Sequence, residues 1–263
     1  MTIAHVRRFR GLGFGFALAL MILLPQAVRA QQVLYGVTFD TSQLVRINTA
    51  TGAGTAVGTM SFQAFALGIS TFNGELFVLD QTNDQLIVVN PNNASTVRTI
   101  HVTDDVFSEG DFEIRPSDGK GYYTESNGPF STVNITTGAA TLINGGVPFN
   151  IDGLAFNSAG TLYALQTGGS LYTMDPNTGN TTLIGGSNAG AITGGMDFRS
   201  DGVLFGAAGD QLFTINPATG AETPIGNIGF QVSGLTFFNV PEPATGLCGA
   251  VGALVMLARR SKR

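Results

Sequence analysis

Asn150-Ile-Asp-Gly-Leu-Ala-Phe-Asn-Ser-Ala-Gly-Thr-Leu-Tyr-Ala-Leu-Gln-Thr-Gly-Gly-Ser-Leu-Tyr-Thr-Met-Asp-Pro-Asn-Thr-Gly-Asn-Thr-Thr-Leu-Ile-Gly-Gly186 is the stretch whose reading decides the fold. It holds four runs of apolar or β-branched character: Gly153–Phe156, Thr161–Leu165, Ser170–Asp175 and Asn180–Ile184. Each has the length of a strand. The breaks between them carry Asn-Ser-Ala-Gly, Gly-Gly and Asp-Pro-Asn-Thr-Gly, residues that favour tight turns. A second copy runs from Gly194-Gly195-Met196-Asp197-Phe198 to Ile225-Gly226. The pairs Thr137-Gly138, Thr178-Gly179 and Thr219-Gly220 follow one another at steps of 41 residues. Thr51-Gly52 stands 86 residues before the first, and Asn90-Pro91-Asn92-Asn93 marks a degenerate copy between them.

Four strands in a unit too small to bury its own apolar face predict a propeller blade, stacked on its neighbours. The last apolar residue of the first strand is read at Ile69, Ile114, Phe156, Phe198 and Phe237, at steps of 45, 42, 42 and 39. The second strand is read at Leu34-Tyr35, Leu76-Phe77, Tyr122-Tyr123, Leu162-Tyr163 and Leu204-Phe205. The count begins on a second strand and ends on an unpartnered first strand, Val232 to Phe238. The expected fold is therefore all-β, a five-bladed β-propeller closed by pairing of its N- and C-terminal strands. Closure removes the free edges that invite aggregation.

The ends read differently. Three arginines (Arg7, Arg8, Arg10) precede an uncharged run, Gly11 to Leu24, and Val28-Arg29-Ala30 follows with small residues at both critical positions. This pattern predicts a signal peptide over 1–30 with cleavage after Ala30, hence signal peptidase and the export machinery as partners. A propeller over 31–239 comes next. Beyond it, Val240-Pro241-Glu242-Pro243-Ala244-Thr245 leads into an uncharged run and then Arg259-Arg260-Ser261-Lys262-Arg263. A transmembrane segment is expected over about 244–258, with the basic end cytoplasmic. The expected architecture is thus a propeller flanked by a signal helix and an anchor helix.

Between Gln31 and Val240 the only basic residues are Arg46, Arg98, Arg115, Lys120 and Arg199, against 17 acidic ones, a formal charge of −12. That balance argues against a nucleic-acid partner, whose phosphates demand Lys and Arg. The same span holds no cysteine and one histidine, His101. No Gly-x-Ser-x-Gly elbow occurs, and a triad would have to draw on that single imidazole, so no catalytic residues are assigned.

Carboxylates gather at one place. Asp104, Asp105, Glu109, Asp111 and Glu113 lie within ten residues, and calcium sites need several oxygen ligands converging from a loop. In the first strand the residue before the counted apolar one is Gly68, Glu113, Ala155, Asp197 and Thr236. Period-two geometry puts Glu113 and Asp197 at equivalent ring positions near the central channel. Glu113 and Asp197, with Asp111 and Asp152 beside them, are the candidate metal ligands, with Ca²⁺ as the ion; no other cofactor is expected.

The segment Val240 to Arg263 resembles the PEP-CTERM sorting signal of exported proteins in Gram-negative bacteria. That resemblance implies recognition by an exosortase through Val240, Pro241, Glu242, Pro243, Arg259, Arg260 and Arg263. It also implies an inner-membrane-anchored precursor later delivered to the cell surface or extracellular matrix, often beside exopolysaccharide. The Leu-Tyr and Asn-Pro-x-Thr-Gly units resemble, more loosely, quinoprotein-like and Kelch-like propellers, which transfer a fold and no active site. The functional expectation is a non-enzymatic binding or structural protein whose partner is exopolysaccharide or a surface protein. The second reading is a calcium-dependent hydrolase or lactonase-like enzyme, which needs acidic ligands converging from several first strands.

Overall fold

A computed structural model describes residues 31–62, 68–80, 83–103, 110–124, 128–144, 146–186 and 194–240. Among these residues, twenty strands form five four-stranded antiparallel sheets. The first blade is β1 (Gln31–Thr38), β2 (Gln43–Ile47) and β3 (Gly54–Thr59), completed on the inside by the last strand, β20 (Val232–Val240). The second is β4 (Ile69–Phe72), β5 (Glu75–Asp80), β6 (Gln85–Val89) and β7 (Thr96–His101). The third is β8 (Phe112–Ile114), β9 (Lys120–Thr124), β10 (Phe130–Asn134) and β11 (Ala140–Asn144). The fourth is β12 (Ile151–Phe156), β13 (Leu162–Gln166), β14 (Ser170–Met174) and β15 (Thr181–Gly186). The fifth is β16 (Met196–Phe198), β17 (Leu204–Ala208), β18 (Gln211–Ile215) and β19 (Glu222–Asn227).

Ring closure follows the sequence expectation. β1 pairs with β20 from Gln31↔Val240 to Thr38↔Val232, with a bulge between Val37 and Thr38. Val240, read as the first residue of the sorting segment, is thus the last rung of the closing strand. The innermost strands β20, β4, β8, β12 and β16 touch in turn around the channel.

The core is five apolar clusters, one in each seam between blades. This division explains the run Leu86-Ile87-Val88-Val89, in which nothing polar alternates. Leu86 and Val88 pack into the seam with the third blade, and Ile87 and Val89 into the seam with the first. A middle strand is covered on both faces and so reads as continuously apolar.

A second set of contacts lies further out. In each turn between third and fourth strands the side chain of Asn48, Asn90, Asn134, Asp175 or Asn216 accepts the N–H two residues on. Its carbonyl accepts the N–H four residues on, from Gly52, Ala94, Gly138, Gly179 or Gly220. The four glycines have φ between 71° and 83°, and Ala94, in the degenerate copy, has φ 61°. These turns rest on the outer strand of the preceding blade. A Cβ on Gly138 would lie 1.8 Å from the carbonyl oxygen of His101, and one on Gly185 2.0 Å from that of Thr219. Glycine at these places lets two backbones meet.

The expected flanking helices are corrected. Among the described residues there is no helix, and none long and apolar enough to cross a membrane. The apolar residues of 31–240 are consumed by strands that bury them between blades. Residues 1–30 and 241–263, on which the signal, the transmembrane segment and most sorting residues fall, lie outside the described residues. The inner-membrane-anchored precursor built on those helices is withdrawn with them.

Candidate functional site

The carboxyls converge where the inner strands end. Asp197 pairs across its sheet with Phe205, Glu113 with Tyr122, Ala155 with Tyr163 and Thr236 with Tyr35. The fifth member of this ring is Ser70, opposite Phe77. Gly68, which the count from Ile69 places there, lies two residues upstream against the backbone of Phe112. The count slips because the second blade has Thr71 where the others have Ile or Phe, so the apolar residue counted there, Ile69, lies two positions early.

Ser70 and Asp197 each reach for the next blade. Asp197 Oδ2 accepts the N–H of Phe237 at 2.6 Å and the hydroxyl of Thr236 at 3.2 Å, while Oδ1 accepts the N–H of Phe198 at 2.6 Å. Ser70 donates to Glu113 Oε2 at 2.9 Å and accepts the N–H of Ile114 at 3.0 Å. Asp111, just before β8, accepts the N–H of Leu154 at 2.6 Å and that of Phe112 at 2.8 Å. The short inner strands β8 and β16 have few ladder bonds of their own, and these acids satisfy backbone donors across the seams.

Burial dominates their electrostatics. It pushes the Asp197 carboxyl up to about 7, against the opposing pull of its backbone N–H donors and Thr236. Glu113 is raised well above the usual carboxyl range, first by burial and then by the charge of Asp197. Asp111 is raised likewise by burial, with Asp152 and Asp197 adding repulsion against its two N–H donors. Asp152 sits at the bulge between Ile151 and Gly153, half-buried. Asp111, Glu113 and Asp197 are therefore brought within electrostatic reach of one another, and Asp152 within reach of Asp111. Among the described residues no group of three or more His, Cys, Asp and Glu is placed to hold a metal ion. Calcium needs six to eight oxygen ligands, and here the oxygens are turned to backbone N–H and hydroxyl donors.

A pH dependence follows. The folded chain binds the Asp197 proton more tightly than the unfolded chain does, so stability is greatest at about pH 4 and falls as pH rises towards 7. At most about 4 kcal/mol is involved, from roughly three pKa units. Glu113 and Asp111 act in the same direction. Urea unfolding between pH 4 and 8 is expected to show this decline, and Asp197→Asn is expected to flatten it; an unchanged slope in the variant contradicts the assignment.

Two cavities open side by side on this face. One, of about 240 Å³, is the channel mouth, walled by Glu113, Asp197, Ser70, Thr236 and several phenyl rings. The other, of about 540 Å³, is a groove between second and third blades lined by Asp118, Lys120, Thr132, Asn134 and Thr141. Phe72 borders both. Of the sorting residues, Val240 lies in β20; Pro241, Glu242, Pro243, Arg259, Arg260, Arg263 and the cleavage residue Ala30 lie outside the described residues. Sequence reasoning missed Ser70 and the groove. Ser70 was legible as the partner of Phe77, one of a series with Tyr35, Tyr122, Tyr163 and Phe205; the groove depends on contact between blades.

Fold and site together define a closed five-bladed propeller with buried acids at one mouth of its channel. The chain belongs to the family described as "Repeat of unknown function (DUF6923)", whose profile matches residues 27–158, just over half of its length. Comparison with curated proteins finds no match. Among solved structures it is similar to one described as "The de novo evolutionary emergence of a symmetrical protein is shaped by folding constraints". That likeness has 17% identity and a TM-score of 0.56, covering 81% of this chain and 100% of that one. It is also similar to a chain of the "Crystal structure of Nidogen/Laminin Complex", at 15% identity and a TM-score of 0.55, covering 78% of this chain and 80% of that one. At such identities the likeness concerns the fold alone.

Proposed function

We propose that this protein is a non-enzymatic binding propeller that takes a glycan on the face where its inner strands end. The observation that carries this reading is the pair of adjoining cavities, with Phe72 between them and hydroxyl, amide and charged groups along the outer one. Polar groups beside an aromatic edge suit a sugar, which presents hydroxyls around an apolar ring face. The channel acids support binding over hydrolysis, because their oxygens are engaged by backbone donors and hydroxyls of the ring. The resemblance of 240–263 to a sorting signal adds export, with signal peptidase and an exosortase as processing partners.

The test is binding of the purified full chain to an array of neutral and acidic oligosaccharides. Saturable binding is expected, weakened about tenfold by Lys120→Ala through loss of one charged hydrogen bond. Binding only to a surface protein would move the partner class. Ester or lactone hydrolysis lost in Glu113→Gln would replace this reading with the enzyme. Intact mass of the protein from its producing cells reads the processing: ends removed near Ala30 and Pro241 are expected, and intact ends contradict it.

A further inference from the structure

We propose that the channel mouth is a binding site for a protonated alkyl amine, held between Glu113 and Asp197. Both carboxyls are more than nine-tenths buried, at 5% and 8% exposure. Both face the cavity of about 240 Å³, whose wall holds no Lys, Arg or His. The ion pairs among the described residues, Arg98 with Glu75, Arg115 with Asp118 and Arg199 with Asp201, all lie elsewhere. Buried acids are ordinarily paired with a cation. This pair is held by hydrogen bonds from Ser70, Thr236 and the N–H groups of Phe198 and Phe237, with no basic side chain in the cavity wall, in a region whose net charge is −12.

The wall selects the kind of cation. Phe72, Phe156, Phe198 and Phe237 border the cavity, an apolar surface suited to an alkyl chain and a low local dielectric that strengthens charge pairing. A calcium ion would need six or more oxygens, whereas an ammonium has three N–H donors to place. Each carboxylate oxygen has two lone pairs, so the ring's internal hydrogen bonds leave acceptors for them. The amine enters as the carboxyls give up protons, so binding releases protons to solvent.

The source of the amine is either a free small molecule or the end of a lysine side chain. This site rests on the binding reading only for the face of the ring: oligosaccharide binding weakened by Lys120→Ala can fail while amine binding stands, and the reverse. The experiment is calorimetric titration of the full chain with butylammonium, 1-butanol and lysine blocked at both backbone ends. Saturable butylammonium binding is expected, with no binding of butanol and with more protons released at pH 6 than at pH 9. Tighter binding of blocked lysine would identify a protein side chain as the source, and weaker binding a free amine. Asp197→Asn and Glu113→Gln are each expected to weaken binding about tenfold or more. Should either fail to fold, Phe198→Leu, which leaves both carboxyls, is expected to weaken binding at unchanged proton release. Equal binding of butanol, displacement by equimolar sodium, unchanged affinity in a folded Asp197→Asn, or no binding would overturn the proposal.

Discussion

A chain ending at Gln231 is expected not to form a cooperatively folding ring. Removing Val232–Val240 strips β1 of its inner partner over eight paired residues and leaves the first blade with three strands. It also empties two seams: Val232, Leu235 and Phe237 leave the cluster shared with the fifth blade, and Phe238 the one shared with the second. Four buried side chains at about 2–3 kcal/mol each amount to roughly 10 kcal/mol, comparable with the whole stability of an ordinary domain. The backbone donors of β1 are exposed as well, an edge that pairs with other copies. Denaturant unfolding and sedimentation check this. Broad, non-cooperative unfolding with aggregation is expected; a monomer with one sharp transition at the full-length midpoint contradicts ring closure as the source of stability.

Gly138→Ala is expected to destabilise the protein by about 3 kcal/mol or more. The residue has φ 75°, and an added Cβ would fall 1.8 Å from the carbonyl oxygen of His101. A left-handed alanine costs about 1 kcal/mol, and relieving the overlap requires the third blade to draw back from β7. That movement breaks the hydrogen bond from the N–H of Thr103 to the carbonyl of Gly138, 3.1 Å long, and loosens the Ile100 seam beneath it. Ala94 is the natural control, because at this position of the second blade the facing residue is Gly58 and a methyl fits, 3.3 Å from where a Cβ on Gly58 would be. Ala94→Gly exchanges a strained conformation for a lost methyl and is expected to change stability by less than about 1 kcal/mol. Urea midpoints separate the two; a Gly138→Ala shift as small as that of Ala94→Gly would remove the latch from the account.

Much of this fold was legible because its signals are local and repeated. Turn residues at a 41-residue step fix blade number, and the unmatched last strand fixes closure, since a lone inner strand has one vacant place in the ring. The latch was legible only in part: the Thr-Gly pairs mark the turns, but the backbone each turn rests on belongs to another blade. At the channel, alternation correctly placed Glu113 and Asp197 together and misplaced the second blade, where Thr71 breaks the apolar marker. What the acids do could not be read from their spacing. Whether a carboxylate meets a metal, a partner charge or a backbone N–H is decided by the neighbouring blade, and here Phe237 and Leu154 supply the N–H. The expectations for the two ends rest on apolar runs that lie outside the described residues, and the residues that are described carry no helix.

The most direct measurement is a carboxyl-carbon NMR titration of Asp197 and Glu113 in the full chain, with and without butylammonium. The account predicts that Asp197 titrates near 7 in the free protein, that Glu113 also lies above the usual carboxyl range, and that both move down when the amine binds. Two carboxyls titrating in the ordinary range and unmoved by the amine would make them solvated groups of an open channel, and would contradict the site.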